Sequence, residues 1–437
     1  MEATYRQIWR IALPIMGASL AQNAVSLIDT AFLGLLGQAE LAAGGLGVLF
    51  FLTIGFIGLG LGVGVQVLSA QFLGEKRQEQ LGALLRQSLW LGTVIGIGLT
   101  FLMAYGSEPL IRALLYNPST ESTTIYFLRG RSLELFPLII FGALRGYYSG
   151  TAQTGYIFRA NILLAITNLL LNTIFVLGFE WGMKGVIAGS VLSQYLATAY
   201  LLLALKMQKY PLTRSGIRAN WTLPLVRYAG PAILQHFVGM AGWVVFFLLI
   251  ERRGQFALAS ANIVRSLYSF AMLPTWALST AVGTLSGYFW GAKDKVALVN
   301  SLKRAFLLSQ GLNALIASAL SGLSSIWVKL FSQDIAIQLQ AARDLHLIAL
   351  AVLLMPASAM LLSAVVGVDR VIPAFFVEVG VILFYVGYAT WLDRLGVELT
   401  LMWTTELTYW IPSAVVLYFI WRQQVKRLPS LTPAPAM

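Results

Sequence analysis

Asp29 lies in an apolar stretch, Ser-Leu-Ile-Asp-Thr-Ala-Phe-Leu-Gly. A carboxylate inside a membrane-length apolar segment is costly, and it is normally kept facing a cavity or a partner. Ser19, Gln22, Ser26 and Asp29 recur at steps of three and four. A helix carries such residues on one face, so this face points at something polar. The chemistry this suggests is a proton or small-cation site; the plainer alternative is an ordinary charge at a helix end. Asn161, Asn168 and Asn172 form a second polar stripe, with Asn168 and Asn172 at i and i+4. Amides of this kind either bond neighbouring helices together or stand beside Asp29. In the second case Asp29 and the two asparagines form one site, whose amide oxygens can help to coordinate a hard cation. Ser190, Ser193 and Gln194 add two hydroxyls and an amide further along.

Other charged residues fall inside apolar segments. Arg131 and Glu134 stand at i and i+3 behind Arg129, a spacing suited to a structural ion pair. Glu378 and Glu406 are the acidic candidates of the C-terminal half, and Arg265 is a candidate to neutralise one of them. Enzyme signatures are missing from the sequence: it has no phosphate loop ending in Lys-Ser/Thr, no H-E-x-x-H and no G-x-S-x-G. It has no cysteine, and its two histidines, His236 and His346, are scattered. Neither an enzyme nor a metal centre is expected, and no cofactor beyond a coupling ion, H⁺ or Na⁺.

The elements that must carry these residues are helices in a membrane. Of 437 residues, 58% are apolar and only 11% charged, too few charges for a soluble surface. Mean hydropathy is +0.76. About 20 mainly apolar residues suffice for one span. Twelve candidates follow: 8–35, 42–72, 84–105, 123–148, 155–178 and 182–206, then 222–250, 257–289, 299–328, 335–366, 371–391 and 398–421. No cleavage site closes a short apolar region at the N-terminus, so the first helix is expected to remain in the mature chain. The second span carries Gly55, Gly58, Gly60, Gly62 and Gly64, in interleaved G-x-x-x-G pairs that favour close helix packing, with gating as the alternative.

A shift of 217 residues aligns the two halves without a gap. Pro14 meets Pro231, Gly37-Gln38 meets Gly254-Gln255, and Ser69, Phe72, Gly74 and Lys76 meet Ser286, Phe289, Gly291 and Lys293. Residues 10–91 give eighteen identities, against roughly eight by chance. The expected architecture is all-α, two six-helix lobes (1–210 and 211–437) related by a pseudo-two-fold axis along the membrane normal. The connector from Lys206 to Arg227, with Tyr-Pro-Leu-Thr-Arg-Ser-Gly, divides them. Asp29 aligns with Phe246, so its site belongs to the first half alone. Twenty of the 30 basic residues fall on the side of the N-terminus and eight opposite. This excess predicts cytoplasmic termini in a cell (inner) membrane and accounts for the net charge of +12 without a nucleic-acid partner.

These features together resemble the multidrug and toxic compound extrusion (MATE) family over nearly the whole chain. The likeness rests on Ala12-Leu13-Pro14 followed by Asp29-Thr30-Ala31-Phe32-Leu33-Gly34, and on Ser69-Ala70-Gln71-Phe72-Leu73-Gly74. It also rests on Leu128-Arg129-Gly130-Arg131, Leu144-Arg145-Gly146-Tyr147-Tyr148-Ser149-Gly150 and Asn168-Leu169-Leu170-Leu171-Asn172. The resemblance implies a V-shaped, monomeric antiporter in the lipid bilayer that exports organic, often cationic or amphipathic compounds in exchange for H⁺ or Na⁺. A flippase for lipid-linked saccharides or other lipids is the alternative. The arginines of the fourth helix are similar to the DinF-like branch, which implies coupling at Asp29 with Asn168 and Ser190; Asn172, one turn beyond Asn168, is the further residue expected at this site. Gln22, Ser26 and Gln194 are the expected cavity residues. Two departures stand out: Asn172 replaces the family's fifth-helix acid, and the seventh-helix glutamate of NorM-like members falls at Gly239.

Overall fold

The computed structural model describes residues 1–114, 118–207 and 220–429. Among them lie twelve long helices and no strand. They are α1 (Tyr5–Leu36), α2 (Gln38–Gly74), α3 (Glu79–Leu114), α4 (Pro118–Gly150), α5 (Thr154–Asn172), α6 (Met183–Met207), α7 (Thr222–Glu251), α8 (Gln255–Gly291), α9 (Lys295–Gly322), α10 (Ile335–Gly367), α11 (Val371–Arg394) and α12 (Thr405–Arg427). Ten are long and apolar enough to cross a membrane. The other two, α4 and α12, have the length but carry more charge, including Arg129, Arg131 and Glu134 on α4 and Glu406 on α12.

Three expected spans are subdivided. The span at 155–178 is α-helical only to Asn172, and Thr173–Gly178 forms a π-helical turn. Such turns insert a residue into the i→i−4 ladder and recur at functional sites. The span at 299–328 ends as α9 at Gly322, and a six-residue helix, Ser324–Lys329, follows. The span at 398–421 opens with a four-residue helix, Leu399–Met402, before α12. The Tyr-Pro-Leu-Thr-Arg-Ser-Gly connector lies outside the described residues.

The repeat is written into the turns. Left-handed backbone occurs at Gly37 and Gly254, at Lys76 and Lys293, and at Ala152 and Asp369, each pair 217 residues apart. After α2 and after α8, Arg77 and Asp294 donate their N–H groups to the carbonyls of Phe72 and Phe289, at 2.8 and 2.9 Å. These bonds close the helix end over five residues, as a Schellman cap does.

Two compact units emerge: residues 13–72 with 77–233, and residues 1–12 and 73–76 with 234–437. The first unit includes the start of α7 because Gly60 and Gly64 let α2 approach Ile233 and Tyr228 closely. Phe72 also packs edge-on against Trp221, with centroids 4.7 Å apart. The second unit holds the N-terminal residues through Arg304, which donates to the Ala3 carbonyl and stacks over Tyr5. Within the first unit, Gly58, Gly62 and Gln66 of α2 meet Gly142, Gly146 and Gly150 of α4 backbone to backbone. A Cβ at Gly146 would strike the Gly62 carbonyl, so the glycine stripe serves helix packing.

Candidate coupling site in the N-terminal unit

The α2–α4 contact and the α5–α6 hairpin bring four helices around Asp29, which is 4% exposed. Asn168 and Asn172 of α5 each donate Nδ2 to Asp29 Oδ1 at 3.0 Å. Ser190 Oγ of α6 lies 2.9 Å from Oδ1 and 2.8 Å from Oδ2. Its single proton serves one oxygen at a time. Arg131 of α4 donates Nη1 to Oδ2 at 2.8 Å. The carboxylate therefore takes hydrogen bonds from α4, α5 and α6 at once. A buried anion requires this number of donors.

Arg131 is held on several sides. Its Nε stands 2.7 Å from Glu134 Oε2, one turn along α4. Its guanidinium lies 4.9 Å from the Phe51 ring centroid and 5.6 Å from that of Phe127. The expected i, i+3 pair is present, but it is half of a larger unit, Asp29–Arg131–Glu134. The fifth-helix acid is missing, yet Glu134 brings a second carboxylate to the unit through the arginine. Sequence spacing shows a contact one turn away; it does not show a contact between helices 102 positions apart. The neighbouring Arg129 is exposed and turned away, to the Ala104 carbonyl and Glu108.

Local packing explains the position of the asparagines. The π-turn begins directly after Asn172. Gly189 of α6 leaves the space that the Asn172 side chain fills, and a Cβ there would strike Oδ1. Asn172 Oδ1 has no hydrogen-bond partner, and Asn168 Oδ1 faces Asn172 Nδ2 at 3.5 Å. Both amides thus turn nitrogen rather than oxygen towards Asp29. Asn161, the third residue of the stripe, bonds within its own helix to the Ile157 carbonyl.

The remaining candidates lie elsewhere. Gln22 and Ser26 are exposed, and the Ser26 carbonyl accepts from Thr30 Oγ1 at 2.8 Å. Gln194 is buried one turn beyond Ser190, beside Thr198 at 3.5 Å. Thr198 in turn donates to the Pro137 carbonyl. In the other unit, Glu378 of α11 accepts from Tyr409 at 2.8 Å and faces Gln235 at 3.5 Å. Its Oε1 would lie 3.5 Å from a Cβ placed on Gly239, so a carboxylate arrives from α11 beside the position of the missing glutamate. Arg265 does not neutralise Glu378 or Glu406. It is exposed, bonds Asn262 at 3.0 Å and stacks over Phe247. Asp344, which the sequence reading passed over, is fully buried and accepts from Thr400 at 2.6 Å and Gln340 at 2.8 Å.

An all-helical fold with an internal duplication, apolar spans and a buried ion-paired carboxylate defines a multi-pass membrane protein. The MatE family profile matches residues 14–174 and again 231–389, the two copies starting at the repeat-related Pro14 and Pro231. The chain belongs to the MatE family. It is similar to the probable multidrug resistance protein NorM of Synechocystis, 29% identical over 258 residues. That match spans 57% of this chain but only 54% of the relative's length. The probable multidrug resistance protein NorM of Agrobacterium fabrum is 25% identical over 312 residues, covering 69% of this chain and 67% of the relative. A solved MATE structure in complex with MaL6 superimposes with a TM-score of 0.91 at 18% identity, covering 98% of this chain and 97% of that one. A MOP superfamily transporter from Pyrococcus furiosus gives a TM-score of 0.88 at 18% identity, with 98% and 96% coverage. These two likenesses concern the fold.

Proposed function

We propose that this protein is a secondary antiporter that exports organic, drug-like compounds, and that the imported ion is a proton bound at Asp29. The substrate class is supported by membership of the MatE family and by relatives named for multidrug resistance. The observation that carries the coupling reading is the Asp29–Arg131 ion pair at 2.8 Å inside a ring of donors. Arg131 already occupies the place of a countercation. A sodium ion would have to displace a guanidinium held by Glu134, Phe51 and Phe127. A proton needs only an oxygen of Asp29 and a lone pair to donate to, and the Ser190 hydroxyl can rotate to supply it.

Protonation would remove the charge that holds α1 to α4. Arg131 would keep Glu134, so the guanidinium would not be left unpaired when Asp29 lets go. The proton would thus act on a contact between helices, which is how a coupling ion biases two conformations. The assignment of the arginine-bearing fourth helix to the DinF-like branch, an inner-membrane location and cytoplasmic termini accompany this reading. The test is dye efflux from everted vesicles with pH and Na⁺ gradients imposed separately. Efflux driven by a pH gradient without Na⁺ is expected; efflux that requires Na⁺ and ignores pH overturns the proton assignment.

A further inference from the structure

The repeat makes a second pocket comparable with the first. At an offset of 217, Asp29, Phe51, Arg131, Asn168 and Gly189 align with Phe246, Tyr268, Ile348, Tyr385 and Glu406. These C-terminal residues also gather. Phe246 packs against Tyr385 with ring centroids 6.1 Å apart, the counterpart of the Asp29–Asn168 contact. Glu406 Oε2 accepts from Tyr268 at 2.8 Å and Oε1 from Tyr385 at 3.2 Å. The acid has thus moved from the first helix of the half to the sixth. A basic partner is absent from the equivalent position, where Ile348, buried and apolar, stands in place of Arg131.

We infer that Glu406 is a second proton-binding site, in the C-terminal unit, with the proton on Oε1 shared with Tyr385. Three observations carry it. First, Glu406 is 2% exposed, and among the described residues no Lys, Arg or His pairs with it. Asp29 has Arg131 to balance its charge, whereas Glu406 has only neutral donors, and an isolated buried anion of this kind is neutralised. Second, the hydrogen bonds have a direction. The indole N–H of Trp410 can only donate, and it does so to Tyr268 Oη at 2.8 Å. Tyr268 then sends its own proton to Oε2, which fixes that oxygen as an acceptor. Tyr385 is under no such constraint. Its hydroxyl carries both a proton and lone pairs, so it can turn to accept from a protonated Oε1 instead of donating to it. The O–H bond formed at Oε1 takes a proton from bulk hydronium, whose own O–H bond breaks and which leaves as water. Third, the pocket offers hydroxyl and indole donors rather than the several oxygen ligands a metal cation needs.

On α10 the residues clustered with Trp410 are apolar: Ala351, Leu354, Met355 and Ala359. On α12 itself Tyr409, edge-on to Trp410, donates to Glu378 at 2.8 Å.

Infrared spectra of the full chain in lipid nanodiscs at neutral pH test the assignment. The wild type minus Glu406→Gln difference should contain the C=O stretch of a protonated carboxyl group, absent from the wild type minus Asp29→Asn difference. Tyr385→Phe keeps the acid but removes its acceptor, so the same band should move to higher frequency. Carboxylate bands in place of the acid band in the first difference overturn the inference. An unmoved band in Tyr385→Phe overturns it too, and that arm stands even where Glu406→Gln does not fold. Neither outcome bears on Asp29, whose role is read from gradient-driven efflux.

Discussion

Arg131 donates to Asp29 across 102 positions of sequence, and its Nε meets Glu134 one turn further along its own helix. One buried guanidinium therefore contacts two buried carboxylates. Removing it by Arg131→Leu leaves both acids uncompensated, which costs about 3–5 kcal/mol for a broken buried pair. Thermal unfolding in detergent, followed by tryptophan fluorescence, should show a large loss of stability. Adding Asp29→Asn and Glu134→Gln to Arg131→Leu should recover most of it, because no unpaired charge remains.

Gly189 and Asn172 make a second test. A Cβ at residue 189 would strike Asn172 Oδ1, so Gly189→Ala must push the amide off Asp29 or part α5 from α6. Overpacking of this kind costs about 1–3 kcal/mol. The expected result is a folded protein with an altered pH profile of efflux. Gly98→Ala, where a Cβ meets nothing within 4 Å, should leave both properties unchanged.

Asn172→Asp restores the second acid that the family pattern carries. Two neighbouring carboxylates repel, so one of them holds its proton to higher pH. With Asn172 Nδ2 3.0 Å from Asp29 Oδ1, the new acid would lie within that range. Efflux measured against pH should shift towards higher pH. An unchanged profile in a well-folded variant would mean that residue 172 does not act on Asp29.

The α2–α4 contact should be intolerant of volume. Gly146→Leu places a side chain against the Gly62 backbone, which cannot yield as a flexible side chain can. The variant should lose folded yield, read as monodisperse protein by gel filtration. Gly155→Ala, where nothing lies within 4 Å, is the control that should not.

Much of this was legible in the residues. Polar side chains inside apolar spans are rare enough that Asp29, Asn168 and Asn172 stand out, and period-3.6 spacing puts the two asparagines on one face. The 217-residue offset paired Lys76 with Lys293, and both residues adopt a left-handed backbone. What escaped reading depends on contacts between helices. The i, i+3 spacing finds Glu134 for Arg131, but only packing of α1 against α4 finds Asp29. Arg265 seemed available to Glu378 or Glu406 because charge sign is visible in a sequence and side-chain direction is not. The π-turn after Asn172 has no residue signature, and Asp344 was missed within a long apolar run. The positions equivalent to the first site offered a signal for Glu406: they keep a carboxylate next to the slot of Ser190 although the aspartate itself has become Phe246.

If Asp29 carries the imported proton, removing its titratable group must abolish coupling while leaving substrate binding intact. Wild type and Asp29→Asn are reconstituted into proteoliposomes in matched amounts, and dye transport is followed after a pH gradient is imposed. The substitution is nearly isosteric and removes only the titratable charge. The expected result is pH-driven transport in the wild type and none in Asp29→Asn, with equal dye binding by both. Undiminished pH-driven transport by a folded Asp29→Asn would contradict it.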